Sequence, residues 1–130
     1  MIHDTAFIID VMENDTAALS KLHELLRKGE PQAITAPSLF ELYSGIVRSR
    51  KPEEEKRKVL RTLAGMIVFH LDADGAERAG EMDGRLTMSG LRVEPVDMLI
   101  AGIALSKGER VLTRNVKHFG RVPGLNVETY

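Results

Sequence analysis

Cysteine and tryptophan are absent from this 130-residue chain, and only two tyrosines and four phenylalanines are present. Without cysteine there is no disulfide framework, no thiolate metal site and no cysteine nucleophile; the absence also fits a reducing compartment. So few aromatic rings leave few platforms on which nucleobases could stack. No window approaches the roughly 18 uninterrupted apolar residues of a membrane span. Met1-Ile2-His3-Asp4 has no basic region leading into an apolar stretch, so no secretory signal is expected and a cytoplasmic protein is. Positive charge is not in excess either, the formal net charge being -1. Any contact with nucleic acid must then rest on a local basic patch or a bound cation. Gly-rich phosphate-binding runs of the GxGxxG or GxxxxGK kind are missing, which argues against a nucleotide-binding enzyme.

What is present describes an ordinary globular domain. At 43% hydrophobic and 28% charged the chain can bury a core without staples. With no repeat, linker or low-complexity segment, residues 1–130 read as one domain. Ile2 to Ala6 is a short apolar segment, continued by a helix ending near Met12. Asn14 or Asp15 caps an amphipathic helix carrying Leu19, Leu22, Leu25 and Leu26. Gln32 to Ala36 is expected as a second strand and Pro37-Ser38 as the start of a helix to about Val47. Pro52, three glutamates and then Lys56-Arg57-Lys58 are ordered for a helix start. Met66 to Leu71 is a third strand, and Asp72 caps a helix from Ala73 to about Ser89. Pro95 opens a helix that runs to Gly108 and is apolar nearly all round, so it should be buried. Arg110 to Thr113 and Leu125 to Glu128 complete the strands. The alternation predicts an α/β sandwich around a mostly parallel sheet.

In such sheets ligands collect outside the carboxyl ends of the strands. Asp4, Glu41, Asp97 and Asn115 all fall at such positions. Carboxylates brought together repel one another and resist losing their hydration, and a hard divalent cation, Mg²⁺ or Mn²⁺, is what reconciles such a group. Bound metal can orient a phosphate and acidify a water, the chemistry of phosphodiester hydrolysis. Each acid also has a local explanation. Ser38 to Glu41 fits a capping box, Asp97 suits a helix N-terminus, Asp4 could end a strand, and Asn115 could cap the turn through His118.

Four blocks of sequence break the tie. They are Ile2-His3-Asp4-Thr5-Ala6-Phe7-Ile8-Ile9-Asp10, Pro37 to Ile46 (PSLFELYSGI), Val96 to Gly102 (VDMLIAG), and Val111 to Phe119 (VLTRNVKHF) with the tail Val122 to Glu128. In this order they resemble the PIN-domain family, and within it the VapC-type toxins of toxin–antitoxin pairs. The resemblance implies a PIN-like three-layer α/β sandwich, usually dimeric, that cleaves RNA with Mg²⁺ or Mn²⁺. It implies that Asp4, Glu41 and Asp97 are the three core acids and metal ligands. Thr113 matches a conserved site threonine, and Asn115 stands where many members have a fourth acid, so one firm metal site and a weaker second are expected. An antitoxin protein is the implied partner. The alternative is a catalytically weak PIN-like module that binds RNA or protein.

Other residues rank lower. Asp10 is expected to face away from Asp4, and Glu81 and Asp83 to belong to a solvated helix face. His3, His23, His70 and His118 show no ligand spacing. Arg114, Lys117 and Arg121, and further off Arg48, Arg50 and Lys51, are candidate contacts to RNA phosphates. Leu39, Leu42, Tyr43 and Ile46 exceed what one core face needs, which suggests packing against a second copy or an antitoxin helix.

Overall fold

Side-chain caps decide where the elements begin. In the computed structural model, which describes residues 1–130, Asp4 accepts the Phe7 N–H at 2.8 Å and starts α1 (Thr5–Met12). Strand β1 (Ile2–His3) therefore stops short of the expected Ala6, because the capping residue turns the chain out of the ladder. Asp15 caps α2 (Thr16–Arg27) in the same way. Thr35 caps α3 (Ala36–Arg48), which confines β2 to Ala33–Thr35. Helix α4 (Pro52–Leu63) opens on Pro52 with Glu53, Glu54 and Glu55 in its first turn, where the helix dipole favours negative charge. After β3 (Ile67–Phe69), Asp72 caps α5 (Ala73–Met88). Helix α6 (Pro95–Lys107) ends at Gly108, whose φ of 65° is left-handed and favours glycine. Strand β4 (Val111–Leu112), the short α7 (Val116–Phe119) and β5 (Val127–Glu128) close the chain.

The strands form one sheet in the order β3-β2-β1-β4-β5, and every pairing is parallel. The chain builds outward from β1 on one side and then crosses to β4 on the other. The order reverses between β1 and β4, and that is where an open parallel sheet leaves a ligand crevice.

Alternation along the strands divides the core into two faces. Ile2, Ala33 and Val111 pack with Met98, Ile100, Ala101, Ile103 and Ala104 of α6 and Ala79 of α5. On the opposite face Ile34 joins Ile8, Met12, Leu42, Ile46 and Val59, and Leu112 joins Phe7, Ala18 and Leu25. Helices thus cover the sheet on both sides. Helix α6 buries six residues, as its apolar pattern predicts. Helix α5 lies so close to it that a Cβ added to Gly102 would come within 2.8 Å of the Ala79 Cβ. No helix is long and apolar enough to cross a membrane.

Candidate active site

Because β1 and β4 are neighbours, the residues that follow them meet. Thr113 Oγ1 donates to Asp4 Oδ2 at 2.5 Å, while Asp4 Oδ1 accepts the Phe7 N–H. Both carboxylate oxygens are partnered, yet no Lys or Arg lies in ion-pairing distance of this side chain, which is only 3% exposed. Burial pushes the Asp4 carboxyl up to about 6; the Thr113 and Phe7 hydrogen bonds oppose the rise, and the charges of Asp97 and Asp10 add to it. Cap and site acid are therefore the same residue.

Asp97 is the third residue of α6. Burial holds its carboxyl above the usual range, against the pull of His118, whose Nδ1 lies 3.3 Å from Asp97 Oδ2. Its side chain accepts no backbone N–H, so a hydrogen-bonded cap does not account for it. Glu41 lies in the second turn of α3, one turn later than expected. The Ser38–Glu41 capping box does not form, because Thr35 is the cap. Glu41 Oε1 instead accepts the Thr5 hydroxyl at 2.6 Å, beside a cavity of about 240 Å³ whose walls include Arg48 and Glu55. The three acids do not form a preassembled cage, since no three His, Asp or Glu side chains converge closely enough. The charges of Asp97 and Asp10 both reach Asp4, and Glu41 stands on Thr5, the residue after Asp4.

Asn115 does not cap α7 through its side chain. Its N–H donates to Thr113 Oγ1 at 2.8 Å, and its amide Nδ2 lies 2.7 Å from His118 Nδ1. His118 is thus a candidate site residue that spacing did not reveal, because it meets the acids as a hydrogen-bond partner and not as a metal ligand. Thr5 was missed for the same reason. Asp10, expected to face away, stands on the rim: it accepts the Tyr130 hydroxyl at 2.6 Å and its charge reaches Asp4. No spacing rule foretells a contact between residues 10 and 130.

Of the candidate cations, Arg114 is committed elsewhere, 3.5 Å from Asp10 and 3.1 Å from Asp15, and stacked over the Tyr130 ring. Lys117 and Arg121 form no ion pair, nor do Arg48 and Arg50, while Lys51 pairs with Glu54. His3 is buried and held down to about 4 by desolvation, so it is neutral, with Nε2 paired to Gln32 Oε1. His23, His70 and Glu81 are exposed and Asp83 half-buried, all outside this cluster. The apolar surplus on α3 also lies elsewhere than expected. Leu42 and Ile46 are buried and Leu39 packs on their cluster, so the bare face is Tyr43 with Phe40 (71% exposed) and Val47 (79%).

These donors suit a hard divalent cation. Two carboxylates, both held above their ordinary range and neither paired with a Lys or Arg, share the crevice with a threonine hydroxyl, an asparagine amide and the His118 imidazole.

Comparisons with known proteins identify the family. The PIN domain model matches residues 1–125. A Shigella flexneri protein named tRNA(fMet)-specific endonuclease VapC is 31% identical over 127 residues, covering 98% of this chain and 95% of the relative. Ribonuclease VapC2 of Rickettsia felis is 32% identical over 107 residues, 82% of this chain and 80% of its own. Among solved structures, the Rickettsia felis VapBC2 complex bound to a DNA fragment from its promoter superposes with a TM-score of 0.88 at 28% identity, covering 100% of this chain and 99% of that one. The family model, the relatives and the shared fold show that the chain belongs to the PIN-domain family, in its VapC branch.

Proposed function

We propose that this protein is a divalent-metal-dependent endoribonuclease and the toxin of a toxin–antitoxin pair. The observation that carries the reading is the buried Asp4 with the half-buried Asp97 at the β1/β4 switch point, neither paired with a Lys or Arg, an arrangement that fits a cation. Relatives at 31–32% identity named as endonuclease and ribonuclease supply the reaction class. Asp4, Asp97 and Glu41 would hold Mg²⁺ or Mn²⁺, with Asn115 available to a weaker second position. Such an ion, when bound, orients a phosphate, acidifies a water and offsets charge on the departing oxygen.

The chain's own residues do the rest. Thr113 fixes one Asp4 oxygen and the Phe7 N–H the other, so this carboxylate is oriented before substrate arrives. The crevice excludes bulk water around Asp4, which strengthens every charge interaction there. Lys117 and Arg121, free of ion pairs, are the cations available to phosphates flanking the scissile bond; Arg114 would have to leave Asp10 and Asp15 first. Hydrolysis breaks the bond from phosphorus to the leaving oxygen and forms one to the oxygen of water, whose proton ends on the leaving group.

The antitoxin follows from the VapBC complexes among the structural neighbours. A cytoplasmic location and a homodimer complete the reading, with Phe40, Tyr43 and Val47 of α3 as the contact face. Incubating the protein with total RNA, with Mn²⁺ and with EDTA, and mapping the fragment ends tests the activity. Discrete Mn²⁺-dependent cuts that vanish in Asp97→Asn are expected; an RNA left intact by a well-folded wild type would reduce the protein to a binding module. Light scattering at concentrations well above micromolar should give a dimer mass, and Val47→Glu a monomer.

A further inference from the structure

One loop links the buried Asp4 carboxylate and the half-buried Asp97 carboxylate. From β4 into α7 the polar contacts follow one another: Thr113 Oγ1 to Asp4 Oδ2 at 2.5 Å, Asn115 N–H to Thr113 Oγ1 at 2.8 Å, and the Asn115 side-chain amide 2.7 Å from His118 Nδ1. The last link is His118 Nδ1 to Asp97 Oδ2 at 3.3 Å. Asp4 and Asp97 stand on elements far apart in sequence, and nothing else bonds to the Asp97 carboxylate. We propose that His118 is a positioning residue, whose Nδ1 fixes the Asp97 carboxylate and, through Asn115 and Thr113, sets its place relative to Asp4.

Position and chemistry support this. Nδ1 lies within hydrogen-bond distance of both the Asn115 amide and the Asp97 carboxylate; protonated at Nδ1, the ring donates to Asp97, with the Asn115 amide turned to present its oxygen to the same N–H. The ring is held in place by the short helix: the next residue, Phe119, is wholly buried, and the His118 N–H donates to the Asn115 carbonyl at 3.2 Å. The imidazole is not needed as a ligand in this role, in keeping with the preference of Mg²⁺ and Mn²⁺ for oxygen. Partners that orient a metal ligand commonly matter 10–100-fold to metal affinity when removed. The same carboxylate geometry serves the metal-dependent reading above, on which the consequence for cation affinity rests.

The working atom makes the test specific. The amide nitrogen of an asparagine side chain overlays Nδ1 of histidine, whereas the longer glutamine places its amide near Nε2. Titration calorimetry with Mn²⁺ alone should show His118→Ala and His118→Gln binding about tenfold or more weakly than wild type. His118→Asn should recover most of the loss. In RNA cleavage the same variants should lower kcat and leave KM near wild type. Unchanged Mn²⁺ affinity in His118→Ala, or equal behaviour of the Asn and Gln variants, overturns the assignment. A metal-free cycle of melting temperatures reads the contact directly. Asp97→Asn should raise the melting point more in the His118→Ala background than in wild type, and equal shifts overturn the proposal. If wild type binds no Mn²⁺, the metal-dependent reading fails while the cycle still decides the contact.

Discussion

At the scale of single residues, the site stores unfavourable charge in Asp4 and Asp97. In metal-free protein Asp97→Asn should therefore raise the melting temperature while abolishing cleavage. A variant that melts lower both with and without Mg²⁺ would show Asp97 to be structural. The same charge predicts a pH dependence. Between about pH 4 and 6 folded Asp4 keeps a proton that the unfolded chain has released, so the native state binds more protons and stability falls as pH rises. Above this window the loss is complete, on the order of 3 kcal/mol if Asp4 alone contributes. His3, held down to about 4, gives stability the opposite slope over the same range, so urea titrations in EDTA at pH 4, 5, 6 and 7 read the Asp4 contribution as the difference between wild type and Asp4→Asn; a difference that does not change with pH would contradict the placement of Asp4. Thr113 has the opposite character. Thr113→Val keeps the shape but leaves the Asn115 N–H and an Asp4 oxygen without their partner, which should cost about 1–3 kcal/mol and depress cleavage.

At the scale of elements, the position of Asp97 depends on how closely α6 approaches α5. Gly102 faces Gly75 and Ala79 with no room for a methyl group. Gly102→Ala would gain helix propensity, worth about 1 kcal/mol. Against that stands a forced separation of two packed helices of the core, for which overpacking typically costs about 1–3 kcal/mol. The approach to Ala79 is backbone as well as side chain, so strain should prevail and the midpoint of chemical denaturation should fall. A raised midpoint would mean that α5 shifts freely, and the crevice beside Asp97 with it.

At the scale of the whole molecule, cation binding should stabilise the folded state by mass action. Mg²⁺ or Mn²⁺ at about a hundred times its dissociation constant adds about 2.7 kcal/mol, provided the unfolded chain does not bind it. A melting curve indifferent to both ions, alongside a Ca²⁺ control, would remove the cation from the site. The stabilisation should be largest near neutral pH, where Asp4 has lost its proton and most needs a counter-charge.

How much of this was legible in the sequence depended on the range of the interactions. Helices announced themselves through local chemistry: Asp15, Asp72, Pro52, Pro95 and Gly108 act within a few residues of where they stand. The apolar run of α6 foretold its burial for the same reason. Strand ends were drawn too long because Asp4 and Thr35, which look like strand residues, serve as caps. The candidate acids could be named from strand-end positions and the four blocks. Their arrangement could not, because it rests on contacts between residues 4 and 113, 5 and 41, and 97 and 118. Tertiary structure alone decided that Asp4 is buried and Asp97 half-buried, that the charge of Asp97 reaches Asp4, and that Glu41 leans on Thr5. It alone turned Arg114 toward Asp10, Asp15 and Tyr130, and made His118 the link from Asp97 back to β4. The sequence by itself determined which side chains are candidates for the chemistry, since residue type and local pattern are encoded directly. Which of them meet, and with what charge, follows from sheet order and burial, quantities that exist only once distant segments have packed.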